Sequence, residues 1–245
     1  MAEVISISRS GAMLDIVLGD PEGGNLISNE EGRRLAAAIE TLEDEVRLVR
    51  LRSSGRDFCR GRVSPMPPPG SAVSALEIRT RVTDPALRVY DALRSSPAPV
   101  LGVVAGQALG FGCGLAAACD LVLASDAATF QVPEMERSIP PTLVMNAMAR
   151  RLPYKAIAQL VLGLDVIGAQ QALAWGLVSR VVPDASLSTE MEALTQRLAA
   201  YDLPAVRAIK TFLNAALPSG RGAIALSANL AAVALSDRFT GAAKS

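Results

Sequence analysis

The chain has 245 residues, half of them hydrophobic and one fifth charged, with 24 basic residues balanced by 24 acidic ones and no histidine. That length suits one domain of roughly 200–250 residues with a large core, and the composition is not that of a disordered chain. The balanced charge, with no run of one sign, argues against a nucleic-acid surface, and the missing histidine excludes Ser-His-Asp and Cys-His catalysis, His-ligated zinc and a histidine pH switch.

Acid–base work is left to carboxylates, Lys, Tyr, Cys or water. The N-terminal MAEVISISRSG has neither a basic start followed by an apolar run nor an Arg-rich amphipathic stretch, so no targeting segment is read. Cys59, Cys113 and Cys119 are an odd set with no metal-ligand spacing, which suggests free buried thiols in a reducing, cytoplasmic compartment. The longest uncharged stretch, Ser95 to Cys119, holds Pro97, Pro99 and several glycines, so it reads as strand, turn and helix start and not as a membrane span.

In chain order, Val4–Ser8 and Met13–Leu18 predict a hairpin turning at Ser10-Gly11. Asp20-Pro21-Glu22-Gly23-Gly24 breaks the pattern. Ser28 opens a helix with Glu31 completing a capping box, and Leu35, Ala38, Ile39 and Leu42 form its apolar stripe. Val46–Leu51 is a short strand and Ser53–Gly61 a loop. The Pro-rich Ser64–Gly70 reads as mobile or polyproline-like. A helix follows from about Pro85 to Arg94. Pro99–Ala105 is an apolar strand buried on both faces, Gly106–Gly114 a glycine-rich turn into a helix, Asp120–Ala124 a second buried strand and Thr129–Val132 a short one. Helices are expected at Leu143–Arg151, Tyr154–Leu162, Ala169–Trp175, Leu187–Ala200, Pro204–Ala215 and Ala223–Leu235. Strands alternate with helices to about residue 135 and helices follow, so the expected architecture is an α/β core with an all-α tail.

Three segments carry candidate chemistry. Ala105–Leu115 runs from a buried strand through glycines into a helix, which leaves backbone N–H groups free at the helix start; the alternative is that the glycines only permit close packing. It lacks the Lys-Ser/Thr of a phosphate loop and the dinucleotide fingerprint. Asp57–Arg62 is a second strand-end loop with a glycine. Phe130-Gln131-Val132-Pro133-Glu134 holds a carboxylate stiffly behind a proline.

Together these resemble the crotonase family of enoyl-CoA hydratases and isomerases. Asn25–Ser28 is similar to its N-A-L-S, Val46–Leu51 to its V-R-V-V-V-L strand, Phe58–Gly61 to F-C-A-G, Ala98-Pro99-Val100 to K-P-V, Gly110–Asp120 to G-G-G-C-E-L-A-x-x-C-D, Phe130–Glu134 to F-x-x-P-E and Ala169–Val178 to A-x-x-A-x-x-x-G-L-V. The resemblance implies a spiral of ββα units over residues 1–185, building two sheets, with a C-terminal helical region over 186–245 used for trimerisation, as a homotrimer or dimer of trimers. It implies an acyl-CoA thioester as substrate, with no other cofactor and no metal; the absence of a basic stripe and of a membrane span points to no nucleic-acid or membrane partner. Carried over by position, the oxyanion hole would be the backbone N–H groups of Arg62 and Phe111, the catalytic carboxylate Glu134, and the substrate-binding residues Phe58, Cys59, Arg60, Gly61, Gly110, Gly112, Gly114 and Pro133.

The departures bear on the reaction. Hydratases of the family use two glutamates, but the first position here is Gly114; Val63 replaces an acidic residue, Pro140-Pro141 replaces a glycine-rich stretch, and the chain stops at Ser245, short of the family's usual last helix. Hydration needs one group to activate water and a proton for the α-carbon, whereas moving a double bond from the 3,4 to the 2,3 position needs one base. Glu134 alone therefore fits a Δ3,Δ2-enoyl-CoA isomerase. Hydration, thioester hydrolysis, decarboxylation and a non-catalytic acyl-CoA-binding role are the alternatives. Phe130, Met135 and Ile139 are candidates for an apolar wall raising the carboxyl's pKa. Glu136 could supply a second carboxylate, and Glu77 and Asp84 could reach the acyl end, but solvated positions are the favoured readings; Asp120 reads as tying down a strand start, Trp175 as core, Met145 and Met148 as core or acyl-pocket lining, and Arg60 and Arg62 as either CoA-phosphate ligands or solvated loop charges.

Overall fold

A computed structural model describes residues 4–20, 22–65, 74–149 and 151–215. The alternating N-terminal segments form the antiparallel hairpin β1 (Ile5–Ser10) and β2 (Met13–Leu18). Helix α1 (Asn29–Glu40) starts at the Ser28–Glu31 capping box, both of whose hydrogen bonds form. Its buried face is Gly32, Leu35, Ala36 and Ile39, with Ala38 and Leu42 at the margin.

β3 (Leu48–Ser53) sits two residues beyond the predicted strand. The continuous apolar run becomes β4 (Val100–Val104), wholly buried, and β6 (Leu121–Ser125) lies beside it. Both occupy the middle of a six-stranded sheet, β1-β2-β3-β4-β6-β9, parallel from β2 onward, so both faces are covered and no polar alternation is needed. Between them the chain leaves this sheet. After Gly106, held at φ +55°, β5 (Gln107–Leu109) pairs with β7 (Thr129–Gln131) and β7 with β8 (Ile167–Gly168), which makes a separate three-stranded sheet. One turn of the spiral thus gives a strand to each sheet and then a helix.

That helix, α4 (Phe111–Ala118), is buried along its whole length, as an all-apolar helix must be. Gly102 in β4 lets the Cys119 sulfur lie 3.0 Å from where a Cβ would stand. The expected helix at 85–94 is α3 (Asp84–Ser95), preceded by α2 (Ala75–Ile78) and a wide turn at Arg79–Thr83. The rest comprises α5 (Thr142–Met148), α6 (Tyr154–Ala158) running into a wide turn, α7 (Ala169–Trp175), the strand β9 (Arg180–Val182), α8 (Leu187–Ala199) and α9 (Leu203–Ala215).

Two expectations are corrected. Strands do not end near residue 135: β8 and β9 are too short for period-two patterning to show, yet β9 closes the large sheet against β6. The glycine-rich segment 106–114 is not a plain turn; it contains β5 and the first turn of α4. The Ala223–Leu235 helix and most of the Pro-rich run lie outside the described residues.

The main core fills one side of the large sheet, and a smaller cluster of Leu48, Leu101, Leu123, Val182 and Leu194 seals the other under α8. There Arg50 is buried and paired with Asp15 (2.7 Å) and Glu192 (2.7 Å), while Arg52 reaches Asp15 at 2.9 Å. Asp120 plays its expected structural role: Oδ2 accepts from Val100 N at 2.8 Å, and the buried Lys210 ammonium meets both oxygens at 2.7 and 2.6 Å. Trp175 is at the core margin, Met145 likewise, and Met148 is fully buried.

Candidate active site

Three separated segments converge on the N-terminus of α4. The first is the loop after β3. Leu109 N donates to Cys59 O (2.9 Å), and Phe58 N and Cys59 N both reach Gln107 O (3.1 Å each), so the loop lies along β5. Asp57 Oδ1 accepts from Gln107 N at 2.9 Å. Asn25, fully buried at φ +54°, donates its amide to Asp57 O (2.9 Å) and Phe58 O (3.1 Å) and accepts from Asp20 N (2.8 Å). Asn is among the few side chains tolerated there. In the sequence Asn25 stands out only within the Asn25–Ser28 motif; in the fold its side chain holds this loop.

At the loop's end Gly61 has φ +132°, a region suited to glycine. Gly61 and Val63 bond to Ile27 through Ile27 N→Gly61 O (3.2 Å) and Val63 N→Ile27 O (3.0 Å). Among the described residues these bonds leave the Arg62 N–H between them without a carbonyl acceptor.

The second segment is α4 itself. Gly110 is its N-cap at φ +50°, ψ −111°, and Gly110 N donates to Gln131 O at 2.9 Å. Phe111 is the first helical residue, so its N–H has no intrahelical partner. A Cβ on Gly112 would stand 2.8 Å from the Cys59 carbonyl carbon, so glycine there is what lets the loop touch the helix.

The third is the turn Pro133–Arg137 after β7. It lays the Glu134 side chain against Gly110, whose absent Cβ would overlap Oε1 and stand 3.2 Å from Cδ. Glu134 Oε2 is buried and has no hydrogen-bond partner among the described residues. Burial pushes this carboxyl above its ordinary value, against smaller opposing effects of its own backbone N–H and of Arg137. The expected apolar wall is only partly there: Phe130 is fully buried, but Met135 and Ile139 are exposed, and the carboxyl rests on the Gly110 backbone instead. Pro133 is half-buried and Glu136 exposed.

Side chains around this junction were less legible. The Arg62 guanidinium turns inward: Nη1 donates to Val82 O (3.1 Å), Nη2 to Asn29 Oδ1 (2.6 Å), and Cζ lies 5.4 Å from the Phe111 ring centre. It is therefore neither of the roles expected for it, while Arg60 stays exposed. Phe111 stacks obliquely on Tyr90 with ring centres 5.0 Å apart, and the Tyr90 hydroxyl donates to Phe111 O at 3.2 Å. Tyr90 is fully buried, which keeps its phenol far above its ordinary pKa. Nothing in the sequence signals this residue beyond its place on the inner face of α3. Phe58 is fully buried as part of the core. The Cys59 thiol is pushed up to about 12 by burial and donates to Asn25 O at 3.2 Å, so it is a packing group and not a nucleophile.

Glu77 is exposed and caps α2 through Ser74, and Asp84 pairs with Arg79 at 3.4 Å. Among the described residues no three His, Cys, Asp or Glu stand where they could hold a metal ion, and no helix is long and apolar enough to cross a membrane.

What the arrangement can do follows from these parts. Two backbone N–H groups with no acceptor among the described residues can receive developing negative charge on a carbonyl oxygen, and a carboxylate whose Oε2 has no partner among them can move a proton.

Comparison with known proteins shows the family. Residues 8–233 match the family model described as enoyl-CoA hydratase/isomerase. The human mitochondrial enoyl-CoA hydratase domain-containing protein 3 is 34% identical over 130 residues, 53% of this chain but only 43% of that protein. A Thermus thermophilus protein assigned as an enoyl-CoA hydratase is 30% identical over 209 residues, 84% of this chain and 82% of that one. A Thermobifida fusca YX protein assigned as an enoyl-CoA hydratase and solved in complex with CoA superposes with a TM-score of 0.83 at 26% identity, covering 99% of this chain and 95% of that chain.

Proposed function

Because the chain belongs to the enoyl-CoA hydratase/isomerase family, we propose that it is an acyl-CoA-processing enzyme and that its reaction is the Δ3,Δ2 isomerisation of an enoyl-CoA. The observation that carries this is Glu134: a carboxylate half-buried against Gly110 at the start of α4, with one oxygen buried and without a hydrogen-bond partner among the described residues. A solvated glutamate in a binding-only protein has no reason to accept that desolvation.

In this reading the thioester carbonyl oxygen accepts from Arg62 N–H and Phe111 N–H. Negative charge that develops on that oxygen as the α-proton leaves is held there and by the α4 dipole. Glu134 takes the proton from C2, the electron pair moves to give the C2=C3 double bond, and the same proton is returned at C4. Atoms balance with no water consumed and no cofactor; CoA enters only as part of the substrate. Burial suits Glu134 to this work, since a base with a raised pKa accepts the proton more readily. Of the two arginines weighed for CoA phosphates, the exposed Arg60 is the better placed, because the guanidinium of Arg62 is committed to Val82 and Asn29. Assembly as a homotrimer or dimer of trimers belongs to the same reading, and the exposed Tyr154, Leu162 and Val166 are side chains that assembly could cover.

The competing reading is hydration, favoured by the names of the relatives. Both are tested by absorbance of the conjugated 2-enoyl thioester. A rise with trans-3-enoyl-CoA, abolished in Glu134→Gln, supports isomerisation. A fall with trans-2-enoyl-CoA and no rise with any 3-enoyl chain length overturns it in favour of hydration.

A further inference from the structure

We propose that Tyr90 is a specificity-determining residue: its ring occupies the space that a side chain at position 114 would need, so this site is closed to a second carboxylate and to the hydration chemistry that carboxylate would serve. The inference rests on the reading of Glu134 as the single base.

The argument starts from distances. A Cβ built on Gly114 would stand 2.5 Å from Tyr90 Cζ and 2.9 Å from Cε1, and closer still to the hydroxyl oxygen. Even an alanine therefore collides with the phenol, and a glutamate has no path past it. Nor can the ring simply step aside. It is fully buried, stacked on Phe111 at 5.0 Å and tied by its hydroxyl to Phe111 O at 3.2 Å, in an interior too densely packed for an aromatic ring to move cheaply.

Position 114 is one helical turn below Gly110, where Glu134 rests, so a carboxylate projecting from 114 would be the natural second group for chemistry at Glu134. Hydration needs it. Water must give its oxygen to C3 and lose a proton while C2 gains one, so two proton movements are managed at once; isomerisation returns to C4 the proton it takes from C2. The phenol cannot replace the lost carboxylate, because it stays protonated and its proton is held on Phe111 O. Tyr90 and Gly114 are thus one device, with the small residue and the large one each requiring the other.

The test separates the steric claim from the functional reading. Wild type, Gly114→Glu, Tyr90→Val/Gly114→Glu and Tyr90→Phe/Gly114→Glu are assayed on both trans-3-enoyl-CoA and trans-2-enoyl-CoA. In Tyr90→Val/Gly114→Glu the new carboxylate takes up volume the phenol vacates, and the ratio of hydration to isomerisation is expected to rise at least about 10-fold over wild type, the low end of what one acid–base group supplies. Tyr90→Phe/Gly114→Glu is expected to show no rise, since Cζ and Cε1 remain. A folded Tyr90→Val/Gly114→Glu protein with an unchanged ratio, or an equal rise in Gly114→Glu alone, overturns the proposal. Should that double variant not fold, melting temperatures decide: Gly114→Ala is expected to lower Tm in wild type and to cost little in a Tyr90→Val background, and an equal loss in both backgrounds refutes the claim that the phenol holds that space. A wild-type protein that isomerises no 3-enoyl-CoA overturns the isomerase reading by itself, and the Tyr90–Gly114 exclusion is then decided by the Tm comparison.

Discussion

Replacing Glu134 by glutamine should make the protein more stable while it removes the activity. The side chain keeps its shape and loses its charge. In the folded protein that charge is half-buried with Oε2 unpartnered, and burial raises the carboxyl's pKa above its unfolded value. A group raised in this way binds its proton more tightly when folded, so stability falls as pH rises from the unfolded value of about 4.3 through the folded pKa, and the loss is complete above it. An unsatisfied buried polar group costs about 1–3 kcal/mol. Partial solvent access screens this carboxyl and puts it at the low end, about 1 kcal/mol. In a domain of this size that is a Tm increase of about 2–4 °C at pH 7. Thermal melts of wild type and Glu134→Gln from pH 4 to 8 should show a gap that is absent at the acid end and opens with rising pH. In parallel, 3-enoyl-CoA isomerisation should fall about 10²–10⁴-fold. A variant less stable than wild type at pH 7, with a pH-independent gap, would mean the carboxylate is held by a favourable partner, and the argument for a desolvated base would fail.

Two further outcomes follow from the same geometry. Gly110→Ala puts a methyl into the Glu134 carboxyl and forces a non-glycine residue to φ +50°, ψ −111°; it should cost about 1–3 kcal/mol and most of the activity, and a variant with wild-type kcat would show that Glu134 is not seated against Gly110 during turnover. Lys210→Met leaves the Asp120 carboxylate buried with, among the described residues, Arg151 (3.5 Å) and Val100 N as its remaining partners; urea unfolding should show a loss of about 3 kcal/mol, the low end for breaking a buried pair, and a change within about 0.5 kcal/mol, typical of a surface substitution, would remove Lys210 as the partner that fixes α9 to the core.

Features written in neighbouring residues were legible before the structure. The hairpin, the Ser28–Glu31 capping box, the all-apolar β4 and the carboxylate locked behind Pro133 each depend on patterns a few residues long. The Ser74–Glu77 box is an S-x-x-E pattern of the same kind, but the helix it starts, α2, is four residues long and too short to show an apolar period. β9 was missed for another reason: three residues cannot display a period, and what makes them a strand is the open edge of β6. Least legible were contacts between distant side chains. Tyr90 meets Gly114 across 24 positions, Asn25 reaches Phe58 across 33, and Lys210 pairs with Asp120 across 90. Each needs the fold before it exists. So the sequence placed Glu134 and marked Gly114 as a departure, but it did not show what stood in the vacated space.

Three glycines at alternate positions explain how one short helix start can serve so many neighbours. Steps of two residues turn about 200° around a helix, so the missing side chain of Gly112 opens on the opposite side of α4 from that of Gly114, while Gly110, the N-cap at φ +50°, stands just outside the helix. Each opening is filled by another segment: Glu134 at Gly110, the Cys59 carbonyl at Gly112 and the Tyr90 phenol at Gly114. The first two bring a carboxylate and the Arg62 loop to the free N–H end of α4. The third closes off the position from which a second carboxylate would act. A larger residue at any of the three would not merely crowd the core; it would remove one defined component. Under the proposed mechanism, filling Gly110 would displace the base, filling Gly112 would shift the loop that carries Arg62 N–H, and filling Gly114 would lift the exclusion that separates one-base from two-base chemistry. Under the proposed mechanism position 114 is therefore the more informative departure: a buried, hydrogen-bonded tyrosine fills the space a side chain there would need, which is what a site working with a single carboxylate requires.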